Sequence, residues 1–218
     1  MKIRSAGTSS TFLQGQGFGG PVGQVQSHPL AALLFGKRPP KLVDRRKHPK
    51  LKKSLSQLED LSEHVALLLG RSSEREFNLE LCEGDNACIS RDGQIAFGVE
   101  FLEEHQDDHD LLLGVLAHEI GHQPWSWPGG DLSALSRAQL DQLYRDEEAK
   151  ADRFAGRALA ELGGRPDSLE RFLSAHAAGF EEGQSNQYYP AAVRIEQIRG
   201  AFERRARAKS RSPRLLGG

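Results

Sequence analysis

The apolar positions along the chain predict helices in five segments. From Leu51 to Leu68, leucines and one valine recur three or four residues apart, so we expect an amphipathic helix that Gly70 closes. A second helix is predicted from Asp110, which can cap it, to the helix-breaking sequence PWSWPGG, and a third from about residue 135 or 140 to Leu162. Two later segments, RPDSLERFLSAHAAGF and PAAVRIEQIRGAFERRARA, start near a proline and carry apolar residues at the same spacing.

Between the first two predicted helices, the apolar spacing changes to that of β-strands. The sequence EFNLELC alternates apolar and polar residues, and the turn signal Asp92-Gly93 separates the short apolar stretches ACIS and QIAFG. These segments predict a small antiparallel sheet. Because helix, sheet and further helices follow one another without strand–helix alternation, we expect an α+β fold.

The two ends of the chain differ from its middle in composition and charge. Residues 1–50 are rich in Gly, Ser, Gln, Pro and basic residues, and we interpret them as a flexible arm, followed by one domain at 51–203 and a basic tail at 204–218. The first 53 residues carry a net charge of +10 and the last 18 one of +5, against −16 for the rest. The arm is interpreted as a pro-segment, a targeting segment or a solvated linker, and the basic ends as unspecific contacts for nucleic acid or an anionic membrane.

Length, hydropathy and cysteine content exclude several classes of protein. With 218 residues, of which 38% are hydrophobic, the chain supports one substantial core. Its apolar runs fall far short of the roughly 18 residues that cross a bilayer, and its N-terminus lacks the apolar segment of a secretory signal. We therefore expect a soluble, cytoplasmic protein, with export lacking a cleaved signal as the alternative. We expect the two cysteines, Cys82 and Cys88, to be free thiols, although a disulfide bond across the turn between them is conceivable.

The stretch LLLGVLAHEIGHQPW contains the motif H-E-x-x-H at residues 118–122. Helical residues four apart share a face, so the imidazoles of His118 and His122 can converge on one metal ion. Glu119 lies about 100° around the helix from His118, where it can take a proton from a water that the metal activates. The alternative is a buried structural helix whose histidines are satisfied by other groups.

A catalytic zinc site commonly has three protein ligands, so a third ligand is expected downstream. In DEEAKADRFAG, Glu148 and Asp152 lie four residues apart in a helical segment, which predicts Glu148 as the ligand and Asp152 as the hydrogen-bond partner that orients a ligand histidine. Glu147 and Asp146 are the competing ligands. Glu147 is disfavoured because Ala151, rather than an acidic residue, lies four positions after it.

H-E-x-x-H followed by E-x-x-A-D, here Glu148 to Asp152, resembles the gluzincin metallopeptidases of the HtpX and CAAX-prenyl-protease group. Weaker similarity, at Asn86-Ala87 and in YYPAAVRIEQI, extends the resemblance over about residues 55–200. It implies a zincin-like minimal peptidase domain with one Zn²⁺ per chain. Many relatives are membrane-embedded and this chain is not expected to be, so a prenyl-protein substrate is not implied.

The resemblance also implies contacts for substrate. An edge strand containing Asn86, Ala87 and Cys88 is expected to bind extended peptide by β-augmentation. Where relatives commonly have His-Pro, this chain has Tyr-Pro at 189–190. Tyr188 or Tyr189 is therefore a candidate oxyanion contact, or part of a turn packed by aromatic residues.

Arg194 is a further residue with two interpretations, as an oxyanion or substrate-carboxylate contact, or as one member of an ion pair on a helix surface. The whole pattern implies a zinc-dependent endopeptidase that acts on extended or unfolded protein substrates with Glu119 as general base. Two alternatives stay open, an inactive metal-binding domain that recognises a partner and a polyanion-binding protein that uses its basic ends. Glu119 argues against the first, because a structural zinc site closes its fourth position with Cys or His.

Overall fold

The computed structural model describes residues 41–70, 77–85, 87–89, 94–122, 134–177 and 188–211. This part of the chain forms six helices and a three-stranded sheet, in the α+β class that the sequence predicted. Within it, no helix is long and apolar enough to cross a membrane. The elements in chain order are α1 (Lys52–Leu68), β1 (Asn78–Cys82), β2 (Ala87–Ile89), β3 (Gln94–Gly98), α2 (Val99–His105), α3 (His109–Gly121), α4 (Arg137–Leu162), α5 (Asp167–Ala177) and α6 (Ala191–Arg211).

Side-chain caps set the starts of the two helices that matter most for the site. Ser136 caps α4 by accepting from the backbone N–H of Gln139 at 3.3 Å, and the Gln139 side chain accepts from the backbone N–H of Ser136 at 2.8 Å. At α3 the predicted cap, Asp110, is wrong. Asp108 accepts from the backbone N–H of Leu111 at 3.0 Å, so the helix begins at His109 and Asp110 lies in its first turn.

The sheet is mixed, which corrects the prediction of an antiparallel sheet. Its strand order is β1-β3-β2, with β3 parallel to β1 and antiparallel to β2. The alternation of apolar residues fixes which side of each strand faces the core, but it carries no information on strand order, so the insertion of β3 beside β1 was not predicted. On the other edge of β1, the backbone N–H of Val43 donates to the carbonyl of Leu81 at 3.0 Å, so residues before α1 cover that edge.

Helix α3 lies at the centre of the hydrophobic core. Each of its residues from Leu111 to Gly121 is buried, and α1, α4, α5 and β2 all contact it. The sheet contributes one face to the same core, with the side chains of Leu79, Leu81, Ile95 and Phe97. Burial from Leu111 to Gly121 explains why this part of α3 is almost entirely apolar, and it shields any polar residue within it from bulk water.

Helix α6 packs parallel to α4, against the half of α4 that begins at Asp152. Arg153 on α4 donates to Gln197 on α6 at 2.6 Å, and further along both helices Lys209 donates to the backbone carbonyl of Glu161 at 2.8 Å. Because the residue numbers of the partners rise together, the helices run in the same direction. Helix α6 continues beyond residue 203, so residues 204–211 are helical.

The two cysteines are not bonded to each other, and both are buried on the side of the sheet away from the main core. Cys82 lies on β1 and Cys88 on β2, with the central strand β3 between them. Two strands separated by a third are about 9–10 Å apart, which exceeds the span of a disulfide. Burial raises the pKa of the Cys82 thiol to about 11, so this thiol is unreactive at neutral pH.

We expect Gly156→Ala to destabilise the protein, because a Cβ atom there would overlap the backbone carbonyl oxygen of Ile198 on α6. Separating α4 from α6 should lower the free energy of unfolding by about 1–3 kcal/mol in denaturant titrations. The control is Gly200→Ala, whose Cβ would meet only the flexible end of the Arg204 side chain, at 3.2 Å. That variant should be neutral or more stable by about 0.5–1 kcal/mol, because alanine favours the helix. Equal stabilities of the two variants would contradict the close contact.

Candidate metal centre

Helices α3 and α4 bring two pairs of polar side chains together inside the core. His118 and His122 lie one turn apart on α3, and Glu148 and Asp152 lie one turn apart on α4. All four side chains are buried, with at most 7% of any of these residues exposed. Two helices that each present residues i and i+4 therefore face each other across one small polar site.

A close approach of the helix backbones makes this arrangement possible. A Cβ atom on Gly121 would lie 3.0 Å from the Cα atom of Ala151 and 3.1 Å from its carbonyl oxygen. Any larger residue at either position would push α3 away from α4. The glycine costs about 1 kcal/mol in a helix relative to alanine, and at this position it allows the close approach of the two helices that carry the histidines and the acidic residues.

The ligand atoms offered by His118, His122 and Glu148 all lie within 4.8 Å of one another. The Nε2 atom of His118 is 3.3 Å from one carboxylate oxygen of Glu148, and the Nε2 atom of His122 is 3.6 Å from the other. A tetrahedral zinc ion with ligand distances of about 2.0–2.1 Å separates its ligand atoms by about 3.3 Å. The three side chains thus have the composition and the spacing of a three-ligand zinc site.

The structure distinguishes Glu148 from the two acidic residues before it. Glu147 accepts from the ammonium group of Lys150 at 2.7 Å, on another side of α4. Asp146 accepts from the Gln142 side chain at 2.8 Å and is exposed. Of the three carboxylates, Glu148 is the one that faces the histidines, as the i to i+4 argument predicted.

Asp152 fixes the orientation of His118. The Nδ1 atom of His118 donates to Oδ1 of Asp152 at 3.0 Å, which directs the opposite ring nitrogen, Nε2, towards Glu148. A carboxylate on the far nitrogen of a ligand histidine selects the tautomer and raises the basicity of the coordinating atom. The structure therefore places Asp152 where the sequence predicted the orienting partner.

Glu119 is fully buried beside this cluster. Neither of its carboxylate oxygens has a hydrogen-bond partner among the described residues. Burial raises the pKa of Glu119 to about 8, against the opposing effects of nearby His118, Arg194 and the backbone of Ile89. A buried carboxylate without a hydrogen-bond partner is costly in free energy. We therefore expect Glu119 to gain a partner when the candidate metal centre is occupied.

The pKa values of the two histidines diverge. Burial lowers the pKa of His118, but its hydrogen bonds with Asp152 and Glu148 outweigh this effect and raise the pKa to about 10. For His122, burial outweighs the opposing effect of the Glu148 charge and lowers the pKa to about 3. The metal-free site therefore holds a proton on His118 at neutral pH, and His122 is already in the neutral form that a metal requires.

Arg194 lies in the first turn of α6, and Tyr188 and Tyr189 lie just before that helix. The Arg194 guanidinium donates through Nε and Nη2 to the two oxygens of Asp152, both at 2.8 Å, and is 6% exposed. Tyr188 packs with its ring 5.4 Å from that guanidinium. The Tyr189 hydroxyl accepts from the Gln142 side chain at 3.1 Å. The structure thus places Arg194 in a buried ion pair, and it brings Tyr188 but not Tyr189 near the acidic residues of the site.

The predicted substrate strand corresponds to β2. Ala87 and Cys88 belong to it, and Asn86 lies outside the described residues. In the described sheet β2 is an edge strand next to α3, and its last residue, Ile89, is the one whose backbone lowers the pKa of Glu119. Sequence reasoning missed Ile89, although it continues the same apolar stretch.

We expect Glu148→Ala to abolish tight zinc binding while Glu147→Ala leaves it unchanged, because only Glu148 faces the histidines. The loss should exceed the roughly 10–100-fold that removal of an orienting partner costs. Competition with a chelating dye measures both affinities on folded protein. Equal zinc affinities of the two variants would contradict the assignment of the third ligand.

Zinc binding at pH 7 should release protons, because the pKa values of His118 and Glu119 in the metal-free site, about 10 and about 8, both lie above that pH. Coordination requires neutral His118, and a divalent cation favours ionised Glu119, so up to about two protons leave per zinc and affinity rises with pH. Titration calorimetry in two buffers of different ionisation enthalpy measures this number. A binding heat that is independent of the buffer would contradict the prediction.

Comparison with known proteins does not assign this chain to a family. No family model, curated protein or solved structure matches it.

Proposed function

We propose that the protein is a zinc-dependent endopeptidase with a zincin-like domain. The observation that carries this proposal is the buried cluster of His118, His122 and Glu148, together with the unpartnered carboxylate of Glu119 beside it. Three ligands leave a fourth position for water, which is the arrangement of catalytic rather than structural zinc. The resemblance to gluzincins in the motif H-E-x-x-H and E-x-x-A-D supports the same interpretation.

In this mechanism, His118, His122 and Glu148 would hold the zinc ion, whose Lewis acidity would acidify a water and polarise the scissile carbonyl. Glu119 accepts the proton of the attacking water on a carboxylate oxygen and returns it to the leaving amine. Asp152 holds His118 in the tautomer that keeps Nε2 free for the metal. The apolar walls of α3 exclude bulk water, which strengthens each of these interactions.

The substrate that fits this site is an extended segment of polypeptide. Strand β2 is an edge strand of the described sheet, and the side chains of Ala87 and Ile89 are buried beneath it. An edge of this kind binds a peptide through backbone hydrogen bonds rather than through side-chain pockets. We therefore propose unfolded or extended protein segments as substrates, bound along β2 with the scissile bond near Glu119.

Replacement of Glu119 by Gln should separate metal binding from turnover. Glu119 is not one of the three ligands, so the variant should still bind zinc, more weakly than the wild type because a nearby negative charge is lost. Hydrolysis of casein or a peptide library should fall by about 100-fold or more. The matched control is Glu103→Gln, an exposed residue of α2, which should retain full activity. A chelator should abolish wild-type hydrolysis, and added zinc should restore it.

An unchanged hydrolysis rate in Glu119→Gln would refute the role of this residue. A wild-type protein that binds zinc but hydrolyses no peptide would instead favour a metal-binding domain without turnover.

A further inference from the structure

Arg194 is a buried cation that contacts both acidic residues of α4. Its guanidinium donates to the two oxygens of Asp152 at 2.8 Å each, and its Nη2 atom lies 3.5 Å from the Glu148 carboxylate. The residue comes from the first turn of α6, 42 positions after Asp152 in sequence. One planar group therefore connects the third ligand of the candidate metal centre with the residue that orients its first ligand.

These contacts leave the Asp152 carboxylate no rotational freedom. Its Oδ1 atom accepts from Arg194 and also from the Nδ1 atom of His118 at 3.0 Å, while Oδ2 accepts from the Nε atom of Arg194. A guanidinium bound at two points fixes the plane of a carboxylate, which a single ammonium contact does not. The plane of Asp152 in turn sets the direction in which His118 points its other nitrogen.

Tyr188 extends this arrangement by a contact with Arg194. Its ring lies 5.4 Å from the Arg194 guanidinium, a cation–π distance that holds the planar group in place. A continuous row of contacts thus runs from Tyr188 through Arg194 and Asp152 to His118, across three helices.

We propose that Arg194 is a positioning residue of the metal centre, which orients His118 through Asp152 and keeps the Glu148 carboxylate beside the histidines. This role rests on the proposed metal centre. It differs from a contact with substrate or oxyanion, because the hydrogen bonds of the guanidinium go to the two oxygens of Asp152. It also differs from a tether that merely attaches α6 to the domain.

Another arginine of α6 provides a matched control for an ion pair that only attaches α6 to the rest of the domain. Arg199, on the same helix, forms a two-point contact with the Glu170 carboxylate on α5. Its side chain is 57% exposed, and neither residue contacts the metal ligands. Arg199→Lys therefore weakens a helix-to-helix ion pair of the same chemistry without touching the candidate centre.

The experiment compares Arg194→Lys with Arg199→Lys, because lysine keeps the positive charge and loses the two-point geometry. Zinc affinity is measured by competition with a chelating dye on folded protein, well below the unfolding temperature. We expect Arg194→Lys to bind zinc about 10–100-fold more weakly, as for other orienting partners of ligands, and to change the absorption bands of the Co²⁺-loaded protein, which report coordination geometry. Arg199→Lys should alter neither measurement.

Arg194→Gln provides a second variant, should the lysine variant fail to fold. Its Co²⁺ spectrum is the readout, because removal of a positive charge would by itself tighten metal binding and mask a loss of orientation. We expect a spectrum that differs from that of the wild type.

A zinc-binding wild type whose affinity and Co²⁺ spectrum are unchanged in the folded Arg194 variants would refute the positioning role and leave the metal centre intact. A wild type that binds neither zinc nor Co²⁺ would refute the proposed metal centre, and the role of Arg194 with it.

Discussion

The buried charges around α3 and α4 must sum close to zero, and the composition of the site depends on this constraint. Glu119, Glu148 and Asp152 are all buried, and Arg194 is the buried cation beside them. An unpaired buried charge costs several kcal/mol, so three carboxylates and one guanidinium require about two further positive charges. One divalent cation supplies them, and without it the raised pKa values of His118 and Glu119 allow two protons to do so. The buried charges are therefore balanced either by one bound divalent cation or by two bound protons, and they are unbalanced when the site holds neither.

The three helices that hold this site are positioned by two small residues. Gly121 allows α3 to approach Ala151 of α4, and Gly156 allows α4 to approach Ile198 of α6. Helix α4 is therefore in close backbone contact on two sides, with its acidic residues between. Side chains that project from packed helices have little freedom to move, so the ligand distances depend on backbone packing more than on any single hydrogen bond.

The sequence predicted which histidine and acidic side chains lie together better than it predicted the sheet. Glu148 and Asp152 followed from helical geometry alone, because residues four apart share a face whatever the rest of the fold does. The mixed sheet did not follow, because alternation specifies the faces of a strand but not its neighbours. Helix α2 was missed, since seven residues give too short a periodic pattern. The Asp152–Arg194 pair joins residues 42 positions apart, and no local pattern signals such a contact.

The carboxylate of Glu119 separates a reactive centre from a structural one. A structural zinc site closes all four positions with protein ligands, whereas the described residues offer three. The polar residue beside them is Glu119, whose carboxylate oxygens have no hydrogen-bond partner among the described residues. An apolar residue at this position of α3 would avoid a desolvation cost of about 1–3 kcal/mol. Stability therefore gives no reason for a glutamate here. The proposed proton transfer would provide one, because a carboxylate whose pKa is raised by burial is matched to a water that zinc would acidify to a pKa of about 7.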